Sequence, residues 1–390
     1  MWVRSSLVCL LTLVLGCASG LGNHDRVTVS SSELLEGAPL GVEQDPSTLV
    51  SNDEVLALSP EMGAFLNENV RLKTTIGVRM NALIDAIINK ETFGLEFVEK
   101  TRTASELFEY RSGNCLSFSN MFVAMARWSN LEASFQEVQI PPDWSLQNDV
   151  FLLNRHVNVF VDLGPLDDRV VDFNIDDFKS SYNLRKISDA RARAHYFNNM
   201  GVESMQAGDT ASALGYFRKA IADNDREFSP AWTNLGTLYS RNGNPDYAEA
   251  AYLLALRVDN GDLVAMSNLA GFYEQQGDEE QAARYRKKVM DHRRDNPYYR
   301  YQRAREAYAA GDYGTAISHL KYAIREKKNE DEFYFLLGMC YLKKGDQRAA
   351  QRWLARAEEV AATDTLKNQY SSKLEVLLAK MEKEKLSGSR

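Results

Sequence analysis

The sequence predicts a two-part protein, an α+β domain followed by an all-α solenoid of helical hairpins, and three observations carry that prediction. Glycines at 208, 243, 277, 311 and 345 recur 35, 34, 34 and 34 residues apart, the mark of a repeat array. Residues 155–163 and 169–175 alternate polar and apolar side chains, as half-buried strands do. Phe118, Met121, Phe122 and Met125 fall at i, i+3, i+4 and i+7, the stripe of a buried helix.

Composition bounds what such a chain can do. At 390 residues, 44% hydrophobic and 26% charged, there is material for two or three folded units. Lys+Arg 46 against Asp+Glu 54 leaves a net charge of −8, the wrong sign for neutralising phosphates, so no nucleic-acid partner is expected. Beyond the N-terminus no run of about 20 apolar residues occurs, which excludes a polytopic membrane protein. Four cysteines are too few for a disulfide scaffold of this size.

Arg4, the apolar run Leu7–Leu15 and the small residues Gly16-Cys17-Ala18-Ser19 make residues 1–16 a secretory signal peptide, too short to span a bilayer. Val14-Leu15-Gly16-Cys17 resembles the bacterial lipobox, which implies acylation of Cys17 and a membrane contact through that lipid only. Ala18 stands where the lipoprotein family uses aspartate for inner-membrane retention. A lipid-anchored protein of the bacterial cell envelope is therefore expected, on the outer membrane facing the periplasm. Residues 17–58 are rich in Ser, Gly, Asp and Glu without a sustained period and read as a flexible tether. Order is expected to begin at Ser59-Pro60-Glu61, an N-cap with proline in the first turn.

The α+β domain is placed at 59–190. Helical patterns at 60–69 and 74–89 precede Thr103-Ala-Ser-Glu106, a capping-box start, and a break at Ser112-Gly113. Cys115 sits three residues before Phe118, in the first turn of the next helix and on its inward face. Unpaired amides and the macrodipole there favour a thiolate, whereas burial favours the thiol, so a histidine partner would decide. Of the five histidines, His24 is in the tether and His195, His292 and His319 are in the array. His156 remains, on the first strand. If the two strands form a hairpin with an odd loop, His156 and Asp172 share a face, opposite or one diagonal step apart. An even loop would separate them. The constellation Cys115, His156, Asp172 follows, with Asn114 as a guess for a side-chain oxyanion donor.

Gly113-Asn-Cys115 leading to Ala126-Arg127, then Arg155-His156-Val-Asn, then Val170-Val-Asp172 resembles the transglutaminase-like domain of the papain-type thiol superfamily. That resemblance covers about 100–178. It implies a nucleophilic Cys115, with His156 as general base then acid and Asp172 holding the ring's tautomer. It also implies a lipid-anchored thiol enzyme acting on peptide or protein amides, a cysteine peptidase, amidase or acyltransferase, with hydrolysis favoured over cross-linking. The alternative is a non-catalytic adaptor whose domain binds but does not cut. Pro141-Pro142-Asp143-Trp144 opens a loop, with Trp144 either lining the acyl cleft or packed under its own loop. No cofactor and no metal are expected, Asp167-Asp168 and Asp176-Asp177 reading as solvated turns.

In the array, alanines follow each turn glycine by five (213, 248, 282, 316, 350), and small residues precede it by seven (201, 236, 270, 304, 338). Two helices of about a dozen residues pack closely where small residues meet, and bulky ones fill the gap to the next hairpin. The pattern resembles five tetratricopeptide (TPR) repeats over 194–361, which implies a protein or peptide partner in the groove. Arg286 and Val289 break it in the third copy. Asn199, Asn234 and Asn268 recur at one place, for inter-repeat hydrogen bonding or ligand contact. Cys340 reads as a packed thiol, and residues 363–390 as a cap helix and tail.

Overall fold

The computed structural model describes residues 29–361 except 44, 73, 89–92, 140–143, 148–149, 154–155, 165–167 and 174–182, together with a few residues between 367 and 379. The leader 1–16, Cys17 and His24 lie outside them. The expectation of a tether through residue 58 is corrected by helix α1 (Ser31–Glu36), which has a complete capping box between Ser30 and Glu33. Its Leu34 is buried, the Tyr239 hydroxyl donates to the Leu34 carbonyl at 2.6 Å, and Arg218 donates to the Leu35 and Glu36 carbonyls. A polar composition hid a segment held by one apolar anchor and its backbone carbonyls. Leu49 and Val55 add further buried points.

Helix α2 (Pro60–Asn69) starts at the Ser59 cap, and α3 (Ile76–Ile88) follows. Strand β1 (Glu96–Phe97) pairs in parallel with β2 (Ser112–Gly113) across α4 (Ala104–Tyr110). The Thr103–Glu106 capping box is formed. Helix α5 (Cys115–Trp128) then runs through the core, with Phe118, Met121, Phe122 and Met125 all buried.

Behind α5 lies a four-stranded sheet in the order β7-β6-β3-β8. It contains β3 (Glu132–Gln139), β6 (His156–Asp162), β7 (Arg169–Val171) and β8 (Asn183–Ile187), with a separate hairpin of β4 (Trp144–Gln147) and β5 (Val150–Leu153) between β3 and β6. All pairings within the four-stranded sheet are antiparallel. Val157, Val159, Val161 and Phe135 join the α5 residues in one core. The β6–β7 register pairs Val159 with Val171, Phe160 with Val170 and Val161 with Arg169. One residue further, Asp172 lies opposite Asn158 and a diagonal step from His156, the parity that an odd loop requires. Strand β7 is shorter than the sequence pattern at 169–175.

From α6 the chain is a solenoid of five hairpins: α6 (Asp189–Gln206) with α7 (Thr210–Arg218), α8 (Ser229–Arg241) with α9 (Pro245–Val258), α10 (Leu263–Gln275) with α11 (Glu279–Asp295), α12 (Pro297–Ala309) with α13 (Tyr313–Glu326), and α14 (Asp331–Lys343) with α15 (Gln347–Val360). Each turn glycine is left-handed, with φ between 73° and 81°, a conformation that costs a side-chain-bearing residue roughly 1 kcal/mol or more. Close packing explains the small residue seven positions earlier. A Cβ on Gly236 would lie 2.7 Å from the Tyr252 ring. The third repeat keeps its core by a one-residue shift: Tyr285 is buried and stacks on Tyr273 at 5.8 Å, while Arg286 turns outward to Glu274 and Glu279. The continuous core ends at Val289, and a second begins at Ala304. Of the C-terminal segment, Tyr370 is buried against Phe335.

Candidate functional site

Cys115 opens α5 because Asn114 caps it. The Asn114 Oδ1 accepts from the Ser117 N–H and hydroxyl, both at 2.9 Å, which satisfies a donor that helix geometry leaves orphaned. The Asn114 amide donates to Thr101 Oγ1 at 2.9 Å. Its oxygen thus serves the helix cap and one of its two amide hydrogens serves Thr101. The Cys115 N–H belongs to the first turn, where backbone donors have no intrahelical partner. The thiol is partly exposed.

His156 begins β6 and bonds Asp172 Oδ2 through Nε2 at 2.6 Å. The Asn158 amide donates to the same oxygen at 3.1 Å. Nδ1 is then the nitrogen left to face the Cys115 thiol, which lies near enough to the ring to act on its pKa. Burial alone would lower the ring's pKa, but the bond to Asp172 and the nearby Cys115 outweigh it and push it from the ordinary 6.5 up to about 9. The structure therefore hydrogen-bonds His156 to Asp172 and sets the ring near Cys115. The His156 and Asp172 side chains are 15% and 3% exposed, so the ring is open on one side while its carboxylate is sealed.

Two residues of this arrangement escaped the sequence reading. Asn158, two after His156 and on its face, supports the carboxylate. Ser119 is buried, and its hydroxyl lies 3.0 Å from both the Cys115 and Val157 carbonyls, tying the first turn of α5 to the strand beside His156. A small polar residue at Cys115+4 inside an apolar stripe was the available signal. The Trp144 side chain lies outside the described residues, as do Asp167 and Asp176-Asp177. Among the described residues, no group of three or more His, Cys, Asp or Glu could hold a metal ion.

A second histidine, His195 of α6, was assigned only to the array. Its Nε2 meets Glu137 Oε1 of β3 at 2.7 Å. Arg191 reaches the same carboxylate oxygen at 2.8 Å, and Arg185 reaches the other. Burial pushes Glu137 up, but His195 and Arg191 hold it well below the usual carboxylate range. Arg127, outside this cluster, forks onto Asp189 at 2.6 and 2.8 Å. Sheet and array are thus joined by buried and half-buried ion pairs.

In the array, Asn234 donates to Asn198 at 2.9 Å and Asn268 to Thr237 at 3.3 Å, so this position makes inter-repeat bonds, with Asn198 rather than Asn199 as the first acceptor. Cys340 is fully buried, which pushes its thiol up to about 11. Family models described as tetratricopeptide repeat match residues 199–262, 265–297 and 307–366. The hairpins are TPR repeats. Photosystem I assembly protein Ycf3 of Prochlorococcus marinus, in strains MIT 9303 and MIT 9313, is 28% identical over 96 residues, 24% of this chain and 56% of Ycf3. The match thus spans about half the length of these curated relatives. Among solved structures, the MamA protein is similar with 17% identity and a TM-score of 0.24, over 43% of this chain and 91% of MamA. YrrB, described as a TPR protein with an unusual peptide-binding site, has 16% identity and a TM-score of 0.24, over 46% and 92%. No helix of the described residues is long and apolar enough to cross a membrane.

Proposed function

We propose that this is an interaction protein whose TPR array docks a protein or peptide partner. The observation that carries this reading is the five stacked hairpins, three stretches of which match TPR models. Such arrays present long surfaces that a compact domain of equal length lacks. Photo-crosslinking amino acids at exposed positions of the first helices, Gln275 and Arg305, should yield adducts with a defined protein partner in cells. Cross-links only from positions in 60–187 would overturn the reading.

The His156–Asp172 hydrogen bond, with Cys115 near the same ring, favours a second activity, that of the transglutaminase-like domains which the motifs around these residues resemble. In this reading His156 takes the Cys115 proton and holds it as the imidazolium, the form its raised pKa favours. The sulfur attacks an amide carbonyl of the docked partner. His156 returns the proton to the leaving amine as the C–N bond breaks, and water then cleaves the thioester. If instead the region binds without cutting, the protein is an adaptor only. An electrophilic peptide amide analogue should label Cys115 and leave Cys340 untouched. Equal, slow labelling of both would remove the catalytic reading and leave docking intact.

The leader and Cys17 support an envelope lipoprotein, a reading that rests on residues 1–17 alone. Metabolic incorporation of an alkyne fatty acid should vanish in Cys17→Ala. Incorporation that survives the substitution would refute it.

A further inference from the structure

The fourth and fifth repeats form an open groove of about 490 Å³ whose lining includes Arg325 of α13, Lys328 just after it, Tyr334 of α14, and Arg352, Trp353 and Arg356 of α15. Tyr334 and Trp353 stack at 5.9 Å with 20° between their planes. The Tyr334 hydroxyl donates to the Lys328 carbonyl at 3.0 Å, which fixes the ring. The Arg356 guanidinium lies 5.7 Å from the centre of the same ring. In a chain of net charge −8, four cations and no carboxylate line this groove.

Arg325 and Arg356 have exposed neighbours, Glu326 at 2.9 Å and Glu359 at 2.5 Å, and such surface pairs neutralise little. Among the described residues no carboxylate pairs with Lys328 or Arg352. Gathered cations repel one another and raise the local concentration of anions. Trp353, half-buried, offers an edge of its ring system to an apolar or planar group, and the buried Tyr334 backs it. The volume lies in the range of about 300–1,000 Å³ typical of ligand sites.

The geometry points to this groove as the docking site for an acidic peptide segment of the partner protein, with an aromatic side chain against Trp353 and flanking carboxylates against the four cations. It deepens the docking reading and rests on it. The site is built mainly by the second helices α13 and α15, away from the first helices that carry the asparagine bonds.

Fluorescence anisotropy on the full chain tests this with three probes: a Glu/Asp-rich peptide containing one Phe, its Lys-rich counterpart, and a single-stranded oligonucleotide. The acidic peptide should bind, shift the Trp353 emission, and weaken as salt rises from about 50 to about 300 mM. The exposed double variant Lys328→Glu, Arg352→Glu should bind it at least about tenfold more weakly with an unchanged circular dichroism spectrum. Undiminished binding by that variant overturns the pocket, as does an oligonucleotide that binds as tightly and displaces the peptide. If the acidic peptide fails while Gln275 and Arg305 still cross-link a partner, the pocket alone falls. If both fail, the docking reading falls with it.

Discussion

Among the described residues, two histidine–carboxylate pairs of almost identical length, His156–Asp172 at 2.6 Å and His195–Glu137 at 2.7 Å, are built for different work. Glu137 sits between β3 and α6 with Arg191 on the same oxygen as His195 and Arg185 on the other. Cations surround one buried anion, and the cluster fastens sheet to array. Asp172 has the neutral Asn158 amide beside His156, and the ring's other side meets a thiol rather than a charge network. Distance alone does not separate a fastening pair from a reactive one. The third partner does: further cations lock the first pair, and a partly exposed sulfur gives the second something to act on.

Breaking each pair should expose the difference. Glu137→Ala strands Arg191 and His195 without their anion. It should cost about 3–5 kcal/mol in urea unfolding while leaving Cys115 alkylation at pH 7 within about twofold of wild type. Comparable losses of alkylation and stability would show that the two pairs are one unit. The pairs should also respond to pH in opposite directions. His156 is raised from 6.5 to about 9, so its contribution, on the order of 3 kcal/mol, is fully present below pH 6.5 and disappears as pH rises through about 9. Glu137 is depressed from 4.5, so its contribution is present above pH 4.5 and is lost only on acidification well below it. Unfolding of wild type, His156→Gln and Glu137→Ala at several pH values checks both signs. A wild-type to His156→Gln gap constant from pH 6 to 10 would contradict the first.

A smaller change, Asp172→Asn, keeps the shape and removes the charge. Alkylation of Cys115 should slow about tenfold or more, with a modest loss of stability; an unchanged rate would make Asp172 purely structural. Smallest of all, Ser119→Ala removes the hydroxyl that joins the first turn of α5 to Val157. A cost of about 1 kcal/mol and a slower Cys115 reaction with unaltered Cys340 are expected. If Cys115 kept its full rate, the tie would not position the thiol.

Legibility followed the range of the interaction. The β6–β7 hairpin was readable because strand periodicity and loop parity constrain which side chains share a face. The Thr103–Glu106 box and the five turns are local, each contained within about four residues. Segment 31–36 was not legible, because its anchor Leu34 meets Tyr239, some 200 residues away, and nothing in a Ser/Glu-rich stretch announces that. Nothing near Glu137 in the sequence marks it out, since its partners arrive from β8 and α6. In the third repeat, Tyr285 replaced the expected bulky position by a one-residue shift that repeat arithmetic overlooks but packing against Tyr273 rewards.

Spacing and periodicity alone specified the repeat array and the helix that opens at Cys115, because each depends on backbone geometry over a few residues, and they left the face shared by His156 and Asp172 conditional on an odd loop. Only the folded chain decided that the loop parity brings His156 to Asp172, that Asn114 ties the start of α5 to Thr101, and that β3 is fastened to α6 through Glu137. Those outcomes depend on which distant groups meet in a site poor in water, where a charge or donor left without a partner costs more than a local preference can supply.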